Sequence, residues 1–277
     1  AKYQIIPTPL LYLEAFPMDY NKTSRTLAGI FLTVLCVALL AVFTSRTNGP
    51  VPKAEETFDK AMLHAEIRAY ILENPDIIFE AAAIVRQREA QEESRRDVDL
   101  VKEYWDELQN DGRSYVGGNQ EGDITLVEFL DYRCGYCRKA FEEVEMLLED
   151  DGNIRFIIKE FPILGEASMI ASQFAIAVRN IHGADAYKSI HDTLMTFTGE
   201  PTPEVLVEIA TTFGLEPTPI FEEMMSQTVM DEINENRALG QKMQISGTPT
   251  FVFGEALLRG YLPLDAMREV AKEQRGS

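Results

Sequence analysis

Positive charge is scarce in this chain. Its 277 residues carry 26 Lys and Arg against 45 Asp and Glu, a formal net charge of -19. No face gathers the surplus of basic side chains that gripping nucleic acid or anionic lipid requires, so no nucleic-acid partner is expected. Cysteine and histidine are scarcer still, three of each. A chain of this length with 45% hydrophobic residues buries a core of normal size, as one large domain or a domain with appendages, without disulfide staples. A structural zinc site needs four ligands, usually two cysteine pairs or a pair with histidines. Here there is one close cysteine pair, and His64, His182 and His191 stand in no ligand spacing, so no metal site is assigned.

What is present begins with LAGIFLTVLCVALLAVF at residues 27–43, a run without charge or proline preceded by Lys22 and Arg25. As a helix it spans ~25 Å at ~1.5 Å per residue, and with Thr26 and Thr44 it reaches across a thin bilayer. Residues 27–44 therefore read as a transmembrane anchor or a signal segment. The following AVFTSRTNG offers only Thr47-Asn48-Gly49 as a small-residue cleavage site, which favours the uncleaved anchor. Leu35 before Cys36 does not fit a lipidation site, and Cys36 reads as a small apolar residue of the helix. The basic residues place the tail, 1–26, in the cytoplasm and everything beyond about residue 45 outside, although Arg46 and Lys53 reduce the asymmetry. Met18 opens an ordinary charged leader, and residues 1–17 read as an upstream extension.

NGPVPKA, residues 48–54, is a Gly and Pro linker. From it to residue 90 the apolar residues Phe58, Met62, Ile67 and Ile71, then Ile77, Ile78, Ile84 and Val85, recur near helical spacing, with Pro75 dividing two amphipathic helices. Their stripes either dock on the chain's own domain or meet another copy, and residues 54–90 are assigned to self-association as a trimer or dimer. RQREAQEESRRDVD, residues 86–99, is highly charged and reads as a solvated helix or flexible connector, and 91–113 is assigned as the charged connector. Beyond it the period changes. ITLVEFLD (124–131) and IRFIIKEF (154–161) read as buried strands flanking the helix FEEVEMLLEDD that ends near Gly152, a βαβ unit with two parallel strands. Four or five helices follow between Ser168 and Met243, with starts expected at Thr202-Pro203 and Thr218-Pro219. Strands return at Thr250–Phe253 and Ala256–Leu258, and Leu264–Lys272 closes the chain as a helix.

Two of the cysteines form Cys134-Gly135-Tyr136-Cys137 at the turn from the first strand into its helix. Joining residues three apart removes little chain entropy, so this is a poor staple. Two thiolates suit Cu(I), which keeps a copper-binding module open. Redox chemistry fits the surroundings better. At a helix N-terminus the dipole and free N–H groups stabilise a thiolate, which makes Cys134 the nucleophile; Arg138 and Lys139 add positive charge, and Cys137, one turn inward, can attack a mixed disulfide and release substrate.

EFLDYRCGYCRKA, IKEFPILGEAS and ISGTPTFVFG, with a long helical insertion between the second and third, resemble the DsbA family of thioredoxin-fold proteins of the bacterial periplasm, over residues 114–273 with the insertion at about 166–243. The resemblance implies an α/β thioredoxin fold and a redox-active disulfide in place of any cofactor. It implies a cis Pro249 facing the cysteines, with Thr248 presenting its backbone to an extended substrate beside Gly135 and Tyr136. Glu128 and Lys159 interrupt strands covered on both faces; the family carries a buried acid and a lysine there, implying that the two pair and relay protons to Cys137. Gly-Tyr between the cysteines and Thr before the proline are similar to disulfide isomerases more than to strong oxidases. ILENPDIIFEAA resembles the N-terminal region of ScsC-type proteins, trimeric family members linked to copper tolerance.

The reading is a membrane-anchored thiol-disulfide oxidoreductase of the bacterial inner membrane with isomerase or reductase character and its catalytic domain in the periplasm, acting on unfolded or misfolded secreted proteins with a membrane redox partner. The alternatives are a soluble periplasmic form after signal cleavage, a dithiol oxidase of DsbA type, and a Cu(I)-binding thiol module.

Overall fold

The computed structural model describes residues 59–276. The segment 27–44, Cys36 and Phe58 lie outside the described residues, among which no helix is long and apolar enough to cross a membrane. The chain divides at residue 70 into two units. The first includes most of helix α1 (Lys60–Glu73), which buries none of its residues. The second, residues 71–277, holds α2 (Asp76–Glu103), α3 (Trp105–Gln109), β1 (Tyr115–Gly118), β2 (Ile124–Leu130), α4 (Gly135–Asp151), β3 (Ile154–Glu160), five helices α5 (Glu166–His182), α6 (Ala184–Thr196), α7 (Pro203–Thr212), α8 (Pro217–Met224) and α9 (Gln227–Lys242), then β4 (Thr250–Phe253), β5 (Ala256–Arg259) and α10 (Leu264–Gly276).

The five strands run β1-β3-β2-β4-β5. β2 and β3 are parallel, joined through α4, while β1, β4 and β5 are antiparallel to their neighbours. Gly152 closes α4 in the left-handed conformation, φ 67°, returning its N–H to the Leu148 carbonyl, as a helix C-cap requires. This is the thioredoxin α/β arrangement, with the insertion α5–α9 between β3 and β4.

Side chains alternate across a strand, and here the alternation builds two cores. Ile124, Leu126 and Leu130 of β2 and Ile154, Phe156 and Ile158 of β3 pack under α4 (Ala140, Val144, Leu147), α5, α6 and α10. Val127, Phe129, Ile157 and Phe161 face the other way, onto Leu239 of α9, Met243 at its C-cap, and Val101 and Leu108.

Val101 and Leu108 correct the reading of residues 91–113 as a connector. α2 runs unbroken to Glu103, and amid its charges Asp97, Val101 and then Leu108 are buried at roughly helical spacing. The exposed second face of the sheet needs a cover, and this stripe supplies it. The helix is fixed there by Arg259 of β5, whose guanidinium grips both Asp97 carboxylate oxygens, Nη2 to Oδ1 at 2.8 Å. α8 also starts earlier than Thr218-Pro219 suggests: Glu216 is its N-cap and Pro217 its first residue. Pro219 is then the third helical residue, a position where the N–H that proline lacks would have had no intrahelical partner.

Arg259→Ala should lower stability by about 1–2 kcal/mol, leaving a largely buried Asp97 without its partner. Hydrogen exchange should speed up in residues 90–103 and hold steady in β2 and β3. Unchanged protection of α2 would show that apolar contacts alone seat it.

Candidate active site

β2 ends at Leu130 and the chain turns through Asp131, Tyr132 and Arg133 into α4. Asp131, fully buried, controls this turn. Its carbonyl accepts the Cys134 N–H at 3.0 Å and its Oδ1 that of Arg133 at 2.7 Å. Its Oδ2 takes the N–H groups of Ile163 and Leu164 at 2.8 and 3.0 Å, tying the loop after β3 to the active-site turn. Cys134 is the N-cap of α4, φ -77° and ψ 117°, so the free N–H groups of the first turn surround its sulfur.

The two thiols are pushed in opposite directions. Cys134 is lowered to about 5, first by a hydrogen bond from the Cys137 thiol, then, against the opposing effect of burial, by the Thr248 side chain and the N–H groups of Cys137 and Tyr136. Cys137, with no exposed surface, is driven far up by burial, by its bond to Cys134 and by Glu128. The structure contains the reduced pair. When protonated, Cys134 Sγ donates to the Thr248 carbonyl at 3.1 Å. The Thr248-Pro249 bond is cis, and Gly260 N–H holds the Pro249 carbonyl at 2.9 Å. Gly135 opens α4. Tyr136 is 63% exposed, its ring centroid 6.3 Å from that of Tyr261. Lys139 turns from the cysteines to lie 3.9 Å above the Tyr261 ring, whereas Arg138 Nε donates to the Tyr132 carbonyl at 2.8 Å and faces Cys134. Among the described residues no three His, Cys, Asp or Glu side chains converge as a metal-binding group.

The expected pair of Glu128 and Lys159 does not form. In the β2–β3 register Glu128 lies across from Ile158, and Lys159 across from Phe129. Strand parity thus sends Glu128 to the α4 face and Lys159 to the opposite one. Lys159 Nζ donates there to Asp111 Oδ2 at 2.6 Å and the Glu107 carbonyl at 2.9 Å. Burial works to raise the Asp111 carboxyl, but the Lys159 charge and the hydrogen bonds from Lys159 and Ser114 outweigh it and hold it near 2. Glu128 keeps Oε1 buried without a hydrogen-bond partner. Burial, then Glu145, Cys134 and Glu160, raises it to about 8, so at neutral pH it is a carboxylic acid beneath Cys137.

Sequence reading missed the buried polar cluster beside it. Glu160 accepts hydroxyls from Tyr132 (2.8 Å), Tyr187 (2.6 Å) and Ser172 (2.7 Å), and His191 Nδ1 lies 3.1 Å from the Tyr132 hydroxyl. Burial raises Glu160 to about 7 against the pull of the three hydroxyls and, with Lys188 adding, lowers His191 to about 3, so that imidazole is neutral. The available signal was a second charged residue, adjacent to Lys159, in a strand covered on both faces.

Alkylation of the reduced protein should modify Cys134 and spare Cys137, with a midpoint near pH 5. Cys134→Ser should abolish exchange, and Cys137→Ser should accumulate mixed disulfides with substrate. Alkylation of Cys137 at neutral pH would reverse the two roles.

Stability follows from the same groups. Glu128 and Glu160 have folded pKa values raised above the ordinary 4.5, so their contribution is whole below about pH 4.5 and is lost as pH rises through 7–8. Asp111, depressed from 3.8, acts oppositely, losing its contribution only as pH falls from about 4 to 2. In the reduced protein the depressed Cys134 thiol works the other way, adding stability as pH rises from about 5 to 9. The prediction is therefore a difference: the urea midpoint of the unsubstituted protein should fall relative to that of Glu128→Gln as pH rises from about 4.5 to 8. Parallel pH profiles of the two proteins would place the titration elsewhere.

Comparison with known proteins follows the same division of the chain. Residues 125–272, more than half of it, match the DSBA-like thioredoxin domain, and residues 59–92 match the copper resistance protein ScsC N-terminal domain. The chain is 29% identical over 155 residues to the Na(+)/H(+) antiporter NhaA 1 of Salinispora arenicola, which is 56% of this chain and 24% of that protein. It is 26% identical over 176 residues to disulfide bond formation protein D of Bacillus subtilis, covering 58% of this chain and 77% of that one. Among solved structures, a thioredoxin-like oxidoreductase from Silicibacter pomeroyi superposes with a TM-score of 0.59 at 37% identity, covering 62% of this chain and 98% of its own. A linker-deletion variant of Proteus mirabilis ScsC gives 0.59 at 25% identity, with 83% and 99% covered. With the cysteine pair at the start of α4 facing a cis proline, and a family match that runs from β2 through β5, this chain belongs to the DSBA-like thioredoxin domain family.

Proposed function

We propose that the protein is a thiol-disulfide oxidoreductase acting on protein disulfides, with isomerase character. One observation carries the reading: the outer thiol, Cys134, is held as a thiolate at neutral pH while the inner thiol, Cys137, is buried above a protonated, unpaired Glu128. A thiolate attacks a substrate disulfide and forms the mixed disulfide between Cys134 and the substrate. Resolution by Cys137 needs that thiol to lose its proton. A neutral acid beneath it does not accept one readily, so the mixed disulfide persists long enough for another substrate thiol to displace Cys134 and re-pair the substrate. In the opposite direction, when a substrate thiolate attacks oxidised Cys134, Cys137 leaves with the electron pair and Glu128 supplies the proton. The Thr248 carbonyl and the exposed Tyr136 flank Cys134 where an extended substrate segment would lie.

Self-association belongs to the same reading. Met62, Ile67, Ile78, Phe79, Ile84 and Val85 are exposed, Met62 and Phe79 by more than 70%, and apolar stripes of this extent mark contact surfaces. Pairing them with other copies would set several Cys134 thiolates around one misfolded substrate, with the oxidising side of a membrane as the setting. Membrane attachment through residues 27–44 rests on their apolar run alone. A DsbA-type oxidase is the competing activity, because a thiolate stabilised to this degree makes the disulfide form a good oxidant.

Repair of scrambled ribonuclease tests the choice. The chain from residue 54 should sediment as a trimer or dimer and restore ribonuclease activity. A chain from residue 91, which keeps the Asp97 clamp, should be monomeric, still reduce insulin and lose most of the repair. Fast oxidation of reduced ribonuclease without repair of the scrambled form would establish the oxidase instead, and a monomeric longer chain would remove self-association.

A further inference from the structure

Glu128 and Glu160 lie on the same face of adjacent strands. Glu128 is across from Ile158 and Glu160 across from Leu130, so they are diagonal neighbours two residues out of step. Strands ~4.8 Å apart with a rise of ~3.3 Å per residue set their Cα atoms roughly 8 Å apart. Both are buried, and two like charges so placed in a low-dielectric interior do not both form.

The hydrogen-bond inventory decides which one ionises. Glu160 receives three hydroxyl donors, from the active-site turn, α5 and α6, and faces Arg179 of α5 and Glu232 of α9, with neutral His191 of α6 linked to it through the Tyr132 hydroxyl. Asn236 of α9 anchors its backbone carbonyl at 3.1 Å. Glu128 has one oxygen without a partner and faces Glu145 and the two cysteines of α4. When the environments of two interacting carboxyls differ in this way, the hydrogen-bonded member takes the charge and the bare member keeps the proton.

We infer that Glu160 is a positioning residue for the exchange reaction, whose hydroxyl-bonded carboxylate keeps the proton on Glu128 and thereby slows release of substrate by Cys137. The inference rests on the reading of Glu128 as the proton carrier for Cys137. In resolution, the Cys137 proton passes to a Glu128 that is transiently ionised, the Cys137 sulfur bonds to Cys134, and the bond from Cys134 to the substrate sulfur breaks. The substrate leaves as a thiolate that is protonated by water. That step needs an ionised Glu128 next to ionised Glu160, which is the arrangement the pair opposes. In the opposite direction the same charge keeps Glu128 loaded with the proton that the departing Cys137 takes up.

The experiment is single-turnover release of a cysteine-containing peptide from its mixed disulfide with Cys134, measured on the full chain from pH 5.5 to 9. Glu160→Gln keeps an oxygen for the two tyrosines and removes the charge. It should move the rate profile lower by up to about one pH unit, which from a midpoint near 8 is up to about fivefold faster release at pH 7. In a Glu128→Gln background the same change should have no effect, because Glu160 acts through Glu128. If Glu160→Gln does not fold, Tyr187→Phe, which removes one of the donors that hold the charge, should move the profile in the same direction by less. A profile unmoved by both variants, or a shift that persists without Glu128, overturns the role of Glu160 while leaving Glu128 in place. A Glu128→Gln profile identical to that of the unsubstituted protein overturns the proton-carrier reading and the inference with it.

Discussion

A β-strand alternates its side chains, and that parity determines the chemistry beneath the cysteine pair. It sends Glu128 under the active-site helix and Lys159 to the far face of the sheet, where Asp111 neutralises it. The residue beside Glu128 in the register is Ile158, which offers neither charge nor hydrogen bond. A carboxyl in that position keeps its proton because ionising there has a large desolvation cost. Everything distinctive about the inner thiol follows. Cys137 sits over a neutral acid, whereas Cys134, at the end of the helix, receives hydrogen bonds from Cys137, Thr248 and the first-turn N–H groups. The same helix N-terminus that stabilises one sulfur as an anion leaves the other, one turn inward, in apolar surroundings.

The parts of the fold readable in the sequence were those where one signal dominates. Continuous apolar runs marked β2 and β3, Gly152 marked the end of α4, and Thr202 caps α7 through Val205 N–H as its type suggests. Cys134 and Cys137 were singled out by spacing, Thr248 and Pro249 by resemblance. What stayed hidden depends on the pairing of elements distant in sequence. The charged stretch 91–113 looked solvated because its composition is polar, yet two apolar side chains and one ion pair seat it against the sheet. β1 is four residues long, carries two glycines and pairs at the sheet edge, too little to register as a strand. Glu160, Tyr132, Tyr187 and Ser172 come from four elements, and no local pattern announces that they meet. The pairing of Glu128 with Lys159 failed for the same reason in reverse: two odd charges in adjacent strands invite a bridge, and only the register shows which face each occupies.

The two ends of the described chain serve different physical needs. From Asp97 onward α2 completes the second core, so the catalytic domain begins there rather than near Tyr115. Further upstream, α1 and the first turns of α2 expose apolar side chains that nothing in their own unit covers. In the proposed function, the N-terminal region would set how many thiolates surround a substrate and the register of β2 and β3 how long each mixed disulfide lasts.

The central claim is that Glu128 holds its proton through the neutral range. It is tested most directly by following the side-chain carboxyl carbon of Glu128 by 13C NMR in the reduced protein, with its resonance assigned by its absence in Glu128→Gln. The account predicts a protonated carboxyl at pH 7 and a titration midpoint near 8. A midpoint in the ordinary carboxylate range, near 4.5, would mean that Glu128 is solvated or paired and that the inner thiol lies above an anion.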